Sequence, residues 1–423
     1  MTITLLFDVP LLEMPRPQDS WLPETIKLIY RWANNSEHFK LVNIKDYHPE
    51  SCPNSYYLKM IGTTKDSLDP TSWNTIPEES VRLINANNIN IIIMLPFERV
   101  TCLTESTLQE YALSFRTKFK YSKLVNVSMT TLLDQNGEQI LTEQLFNDPN
   151  LKDILFVPTV GFLDKHFAVF SDIRMLSHQI TTNDYDSIRP NLFLCLNNNP
   201  NLARKFIVQS LFITDLWKYG QISFRQTAAW TIENILKIDP FQLTNEQFIF
   251  YINLISSIKQ QNLCPITIQD QNAIDSRLDV TLNTQWYKDS WCSIITETYD
   301  DPATNVDYES PLITEKTIKP IMMLHPFMVF GNGNSHKWLQ SLGFKTFEQS
   351  WFGLPEDGAV GNRTLLERTY NVIQSLKQLA TLTQDELYAK WKGIEVDLIY
   401  NKEHMLTTDW TGVQAKLINS TCK

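Results

Sequence analysis

Apolar residues along this chain fall into short runs of strand length, separated by stretches with the 3.6-residue period of helices. Ile3 to Phe7 reads as a strand, ended by Asp8 and Pro10. Trp21 to Trp32 has helical periodicity, with Ile26, Ile29 and Tyr30 on one side. Leu41 to Ile44 is a second strand, followed by Lys45, Asp46, Tyr47 and His48. The interval 49–77 is rich in Ser, Thr, Asn, Asp and Pro and reads as loop. Glu78 to Ala86 is helical and leads into Ile89 to Leu95, an Ile-rich run of the kind buried on both faces of a parallel sheet. Pro96-Phe97-Glu98-Arg99 follows at its C-terminal edge. A helix over 106–118, a strand over 123–128, a turn at Asn136-Gly137 and a strand over 154–157 continue the alternation. The pattern predicts an α/β domain over residues 1–180.

The polar interval 181–189 reads as a linker, and a second α/β domain is expected over 190–350. Asn191 to Leu196 is a strand, 197–201 a polar turn, and a helix is expected from Leu202 to about Tyr219. The interval 221–280 carries no clear period outside a helix at 241–259. A strand over 293–296 leads to Glu297-Thr298-Tyr299 and an acidic loop ending at Ser310. The stretch from Pro311 to Phe347 then reads as an approach segment, a helix, a buried strand, a glycine turn and a second short helix. Thr314 is a suitable N-cap, which places Glu315 and Lys316 in the first turn. A carboxylate suits the helix dipole there, and free backbone N–H groups at that end suit an anionic ligand. Pro320 and His325-Pro326 are expected to limit this helix to roughly three turns. The strand Phe327 to Phe330 ends in Gly331-Asn332-Gly333-Asn334, at the edge where ligands sit in open parallel sheets. Helices over 365–379 and 384–400 make residues 360–423 a helical tail, expected to pack back on the body.

The segment ITEKTIKPIMMLHPFMVFGN, residues 313–332, resembles the donor-binding segment of glycosyltransferases with the two-domain GT-B fold, most nearly the alpha-1,3-fucosyltransferase type. With Leu342 to Phe347 it is also similar to phage and bacterial glycosyltransferase-like proteins. The resemblance implies two Rossmann-like domains and transfer of a sugar from a nucleotide-sugar to an acceptor hydroxyl, with inversion. It implies that Glu315 binds the ribose hydroxyls and Lys316 the diphosphate. Both roles suit the chemistry, because a carboxylate accepts two hydroxyl hydrogen bonds and an ammonium neutralises a leaving diphosphate. Ala203-Arg204-Lys205 stands where the phage-type relatives carry a basic pair, so Arg204 is a second diphosphate candidate, although the histidine of that pair is missing. Thr314, Lys319 and Asn332 complete the candidate donor site. Glu297 either binds the donor sugar hydroxyls or caps a turn through Thr298. An inverting transferase needs a base from the N-terminal domain. Glu98 is the candidate, with Asp8 and the Asp46/His48 pair as rivals. The family's motif around its base is not matched here.

Composition narrows the field further. A chain of 423 residues exceeds one ordinary core, which favours two domains. The formal net charge of -10 argues against a surface that coats nucleic acid, yet Lys316, Lys319, Lys337 and Lys345 leave a local basic patch suited to small phosphorylated ligands. Six cysteines without paired spacing indicate neither a zinc framework nor a disulfide scaffold. Asp184-Tyr185-Asp186 matches the Asp-any-Asp manganese pattern of single-domain transferases, but no buried strand runs into it, so it reads as linker. No metal and no cofactor are expected, the nucleotide-sugar being a substrate. Phosphate-loop, serine-elbow and zinc-protease motifs are absent. The N-terminus lacks a basic signal region and no apolar run reaches membrane length, so the expected location is cytoplasmic. His325, inside an apolar sequence before Pro326, reads as a buried hydrogen-bonding residue, and Trp338 and Trp351 read as packing residues. The acceptor is left open among glycan, protein and nucleic acid. Two rivals remain: a non-catalytic nucleotide- or glycan-binding protein of the same fold, and a phage-type DNA-modifying glycosyltransferase.

Overall fold

A computed structural model of the protein describes residues 2–8, 29, 32–33, 36–52, 54–59, 70–94, 105–127, 154–157, 180–186, 188–197, 202–223, 244–260, 283–297, 313–330, 335–355 and 365–421. The chain divides into two compact units, residues 1–168 with 409–423, and residues 169–408. Each is built on a parallel sheet, so the protein is α/β.

The first unit holds β1 (Ile3–Phe7), β2 (Phe39–Asn43), β3 (Ser55–Leu58), β4 (Asn90–Met94), β5 (Leu124–Val127) and β6 (Ile154–Val157) in the order β2-β1-β3-β4-β5-β6. Every pairing is parallel. A strand of such a sheet is covered on both faces, which is why β4 is an unbroken isoleucine run with Ile91, Ile92 and Ile93 all buried. β3 lies inside the interval expected to be loop. Its sequence, SYYL, is no unbroken aliphatic run and sits among polar residues, and pairing with β1 and β4 on its two sides makes it a strand. Between β3 and β4 runs α1 (Glu78–Asn87), closed by Asn88 in the left-handed conformation. α2 (Glu105–Lys118) leads to β5, and Trp73 packs among its rings, 5.0 Å from Tyr111 and 5.1 Å from Phe115 between centroids.

The second unit holds β7 (Asn191–Leu196), α3 (Leu202–Ile213), β8 (Gly220–Ser223), α4 (Asn245–Gln260), α5 (Thr284–Lys288), β9 (Ser290–Thr296), α6 (Glu315–Met322), β10 (Phe327–Phe330), α7 (Ser335–Ser341), α8 (Leu365–Leu379) and α9 (Gln384–Thr407). The strand order is β10-β9-β7-β8, again all parallel. β7 connects to β8 on one side and β9 to β10 on the other, so right-handed crossovers put α3 and α6 on opposite faces. Their neighbours agree: α3 packs with α4 and α8, whereas α6 packs with α9. The helix expected to reach Tyr219 stops at Ile213. Asp215, at φ 60, turns the chain into a 3-10 turn over Leu216–Tyr219, and β8 follows. Gly220 opens β8 flush against Phe193, whose ring a Cβ would meet at 2.3 Å. α6 has eight residues, about two turns instead of three, because Leu324 at φ 51 reverses the chain ahead of Pro326. α9 runs past Tyr400 to Thr407, its start fixed by a capping box between Thr383 and Glu386.

The last helix, α10 (Trp410–Thr421), belongs to the first unit and packs beside β6. Asp409 accepts the Gly412 N–H at 3.1 Å, and its other oxygen meets His38 Nε2 at 2.7 Å. Gly412 permits this approach, since a Cβ would lie 2.8 Å from that nitrogen. No helix among the described residues is long and apolar enough to cross a membrane.

At the N-terminal ends of the second sheet, Arg189 is wholly buried with its guanidinium 3.8 Å from the ring centre of Tyr185 and 4.5 Å from that of Trp291. Its Nη1 donates to the Ser290 carbonyl at 2.7 Å, and His325 Nε2 donates to the same oxygen at 2.6 Å. His325 Nδ1 therefore accepts from Ser293 Oγ at 2.7 Å, which fixes a neutral ring. Burial, reinforced by the Arg189 charge, holds its pKa down to about 3. A histidine of the unfolded chain titrates near pH ~6.5. Acidification below that value thus protonates the unfolded chain first, and stability falls by about 1.4 kcal/mol per pH unit until about pH 3. Between pH 7 and pH 5, His325→Gln is expected to lose about 2 kcal/mol less than the wild type in urea unfolding. Equal losses in the two proteins would show that His325 is not the group responsible.

Candidate functional site

In the second sheet the chain leaves β7 toward β8 and returns on the other side as β9. In parallel α/β sheets such a reversal, here beyond the C-terminal ends of β7 and β9, is the place where ligands are taken. The two strand ends are tied together by the Thr296 hydroxyl, which donates to Asn197 Oδ1. Asn197 is in turn joined to β8, its N–H donating to the Ser223 carbonyl at 3.1 Å. Arg204 of α3 is buried, and its Nη2 donates to the Thr296 carbonyl at 3.1 Å.

Glu297, one residue beyond β9, is 1% exposed. One carboxylate oxygen accepts the Thr314 N–H at 3.1 Å and the Thr317 hydroxyl at 2.8 Å; the other accepts the Thr314 hydroxyl at 2.6 Å. A strand end is thereby fastened to the first turn of α6. Burial raises the Glu297 pKa, with Lys316 opposing and Glu315 adding to the rise. Of the two roles considered for Glu297, the turn cap through Thr298 falls on a residue outside the described ones. The described partners of Glu297 are the opening residues of α6.

Thr314 caps α6 as expected, accepting the Lys316 N–H at 3.3 Å. The N–H of Thr317 donates to the Thr314 carbonyl at 3.1 Å. The expectation that this helix end offers free N–H groups to an anion is therefore corrected. The Thr314 N–H is taken by Glu297, and those of Lys316 and Thr317 by the Thr314 hydroxyl and carbonyl. Beside these donors sits a side-chain pair, Glu315 buried and Lys316 partly so. Lys316 Nζ lies 2.7 Å from Glu315 Oε1, with side chains 22% and 11% exposed. Burial pushes the Glu315 pKa up, but Lys316, and beyond it Lys319, more than offset this and leave it net lowered. Lys319, in the last turn of α6, is mostly buried.

The structure therefore brings Arg204, Glu297, Thr314, Glu315, Lys316 and Lys319 to one end of the second sheet. Glu98 and Asn332 lie outside the described residues. Of the rival bases, Asp8 ends β1 and accepts the hydroxyls of Tyr57 and Ser80, whereas Asp46 and His48 are exposed beyond β2. Lys345 lies over the ring of Tyr400 on α9, 5.7 Å from its centre. The acids of the Asp-any-Asp sequence are engaged by cations: Asp184 pairs with Lys288 at 2.7 Å, and Asp186 takes the Tyr388 hydroxyl at 2.9 Å with Lys392 at 3.4 Å. Among the described residues no group of three or more metal-ligating side chains occurs. Asn197, Thr296 and Thr317 were not singled out by sequence reasoning. A polar residue at or just beyond the end of a buried strand was the available signal for Asn197 and Thr296, and nothing local marked Thr317.

Replacing Thr314 by Val keeps the shape of the side chain but removes both the cap and a donor to a buried carboxylate. Urea unfolding should show a loss of about 2–3 kcal/mol. Ser341→Ala, at an exposed position, should stay within about 0.5 kcal/mol. Equal small effects would mean that Glu297 does not depend on Thr314.

Compared with known proteins, the chain matches no family model, no curated protein and no solved structure.

Proposed function

We propose that the protein is a nucleotide-sugar-dependent glycosyltransferase of the GT-B kind, with two Rossmann-like domains and an inverting, metal-independent mechanism. The observation that carries this reading is the Glu315–Lys316 pair at the opening of α6, beside the crevice where the strand order of the second sheet reverses. Parallel sheets bind nucleotides at such a place. The sequence around the pair is the one that resembles the donor segment of fucosyltransferase-type enzymes.

In this reading the donor's ribose hydroxyls hydrogen-bond to Glu315, and Lys316 turns from Glu315 to the diphosphate. Lys319 adds positive charge from the same helix. Charge building on the departing diphosphate is met by these ammonium groups without a divalent cation. Arg204, buried against the Thr296 carbonyl, supports the crevice from below, and Glu297 with Thr314 fixes the helix end that carries the pair. Asn332, following β10, would complete the donor contacts. The acceptor hydroxyl loses its proton to a carboxylate of the first unit, for which Glu98 is the candidate.

The test is thermal unfolding with a panel of nucleoside diphosphates and nucleotide-sugars, with wild type beside Lys316→Ala and Glu315→Gln. A ligand held only by the folded protein, at ~100 times its dissociation constant, adds about 2.7 kcal/mol, an easily measured rise in Tm. One nucleoside diphosphate should raise Tm in the wild type and lose its effect in Lys316→Ala. No response to any member of the panel would overturn the reading. Release of nucleoside diphosphate from the matching sugar donor separates an enzyme from a binding protein of the same fold.

A further inference from the structure

The guanidinium of Arg189 has two edges with different partners. Nη1 donates to the Ser290 carbonyl at 2.7 Å. Nε and Nη2 form the other edge, and their parallel N–H bonds make the fork with which arginine grips an anion. Both nitrogens are buried and meet no acceptor among the described residues. Arg189 is 0% exposed, so bulk solvent does not reach them. The Ser290 hydroxyl, on the residue that takes Nη1, is buried and without a partner as well. Tyr185 and Trp291 meet the charge with their rings, at 3.8 and 4.5 Å, but a ring face leaves the in-plane donors unanswered.

Among the described residues, no side chain beside Arg189 supplies the missing negative charge. The Tyr185 hydroxyl donates to the Met323 carbonyl, and burial raises its pKa, so the phenol stays neutral. The Cys292 thiol donates to the Leu192 carbonyl at 3.3 Å, and burial pushes its pKa up to about 12. His325 is neutral, held by Ser290 and Ser293. Asp184, next to Tyr185 in sequence, is taken by Lys288 at 2.7 Å and by the Thr181 N–H at 2.7 Å. Burial lowers the Arg189 pKa only to about 10, so the guanidinium is charged at neutral pH. A buried charge with unmet donors is destabilising until an acceptor meets it.

We propose that the Nε/Nη2 fork of Arg189 binds one small monovalent anion, of the halide class, in a closed site at the N-terminal ends of the second sheet. A single negative charge balances the guanidinium, whereas a dianion would bury an excess. Tyr185, Ser290, Trp291, His325 and Trp391 are all buried around it, which favours a single-atom ion over a bulky oxyanion such as sulfate. The site lies at the opposite end of the sheet from Glu315 and Lys316 and does not depend on the nucleotide reading.

Crystals of the full chain grown in sodium bromide test it directly. Anomalous diffraction at the bromine edge should show a peak within hydrogen-bonding reach of both Nε and Nη2. In solution, chloride replaces gluconate at constant ionic strength while thermal unfolding is followed. Chloride at ~100 times its dissociation constant should raise the Tm of the wild type by roughly 5–10 °C. Arg189→Lys, which keeps the charge but has no fork, should lose most of that rise, and Lys316→Ala should keep all of it. Should Arg189→Lys fail to fold, the bromide peak in the wild type decides the matter alone. No bromine signal at the fork, or an equal chloride response in wild type and folded Arg189→Lys, would overturn the proposal.

Discussion

A buried carboxylate must be met by donors, and the way Glu297 meets this demand determines how the second unit presents its charged residues. An ionised acid taken from water into a protein interior costs several kcal/mol unless its oxygens are satisfied. Here the donors include one backbone N–H and two threonine hydroxyls from the opening of α6. The cost of burial therefore becomes a constraint on where that helix begins. Once its start is tied to the end of β9, Glu315 and Lys316 are held at the mouth of the crevice. The helix end is electrically satisfied from inside, so any outside anion is left to the lysine side chains.

The opposite pole of the same sheet solves the converse problem. Arg189 is buried without a carboxylate beside it among the described residues, and its charge rests on the faces of Tyr185, Trp291 and Trp391. It shares the Ser290 carbonyl with a histidine that must stay neutral to keep its own two bonds. Trp291 and the Arg189 N–H converge on Gln384 at the start of α9, and Trp391 from the same helix donates to the Leu324 carbonyl. One edge is thus closed by aromatic rings and shared acceptors. The other carries an ion pair only partly withdrawn from water.

Legibility followed the range of the interactions. β1, β6, β7, β10, the start of α6 and the whole of α8 were readable because each is marked locally, by a run of apolar residues or by a cap. β3 (SYYL) and β8 (GQIS) were not: neither is an unbroken apolar run as β6 and β10 are, and pairing with strands elsewhere in the chain makes them strands. The end of α3 was overestimated because apolar residues continue through Trp217 and Tyr219, while the break comes from the conformation of Asp215. At the site, Thr314, Glu315 and Lys316 were legible as neighbours in one helical turn. The hold of Glu297 on Thr317 and the hold of Ser80 on Asp8 span 20 and 72 positions, and no local pattern announces either.

The placement of α10 bears on how the chain acquires its structure during synthesis. The strands of the first unit leave the ribosome early, but the helix beside β6 comes only after the entire second unit has been made. For that interval β6, the last strand of its sheet among the described residues, waits without a neighbour that is still being translated. Domains ordinarily fold in order as they emerge, at about 5–20 residues per second. In this chain the earlier unit is finished after the later one, so a nascent polypeptide spends roughly ten to fifty seconds incomplete and exposed to mispairing, and stands to benefit from chaperone cover.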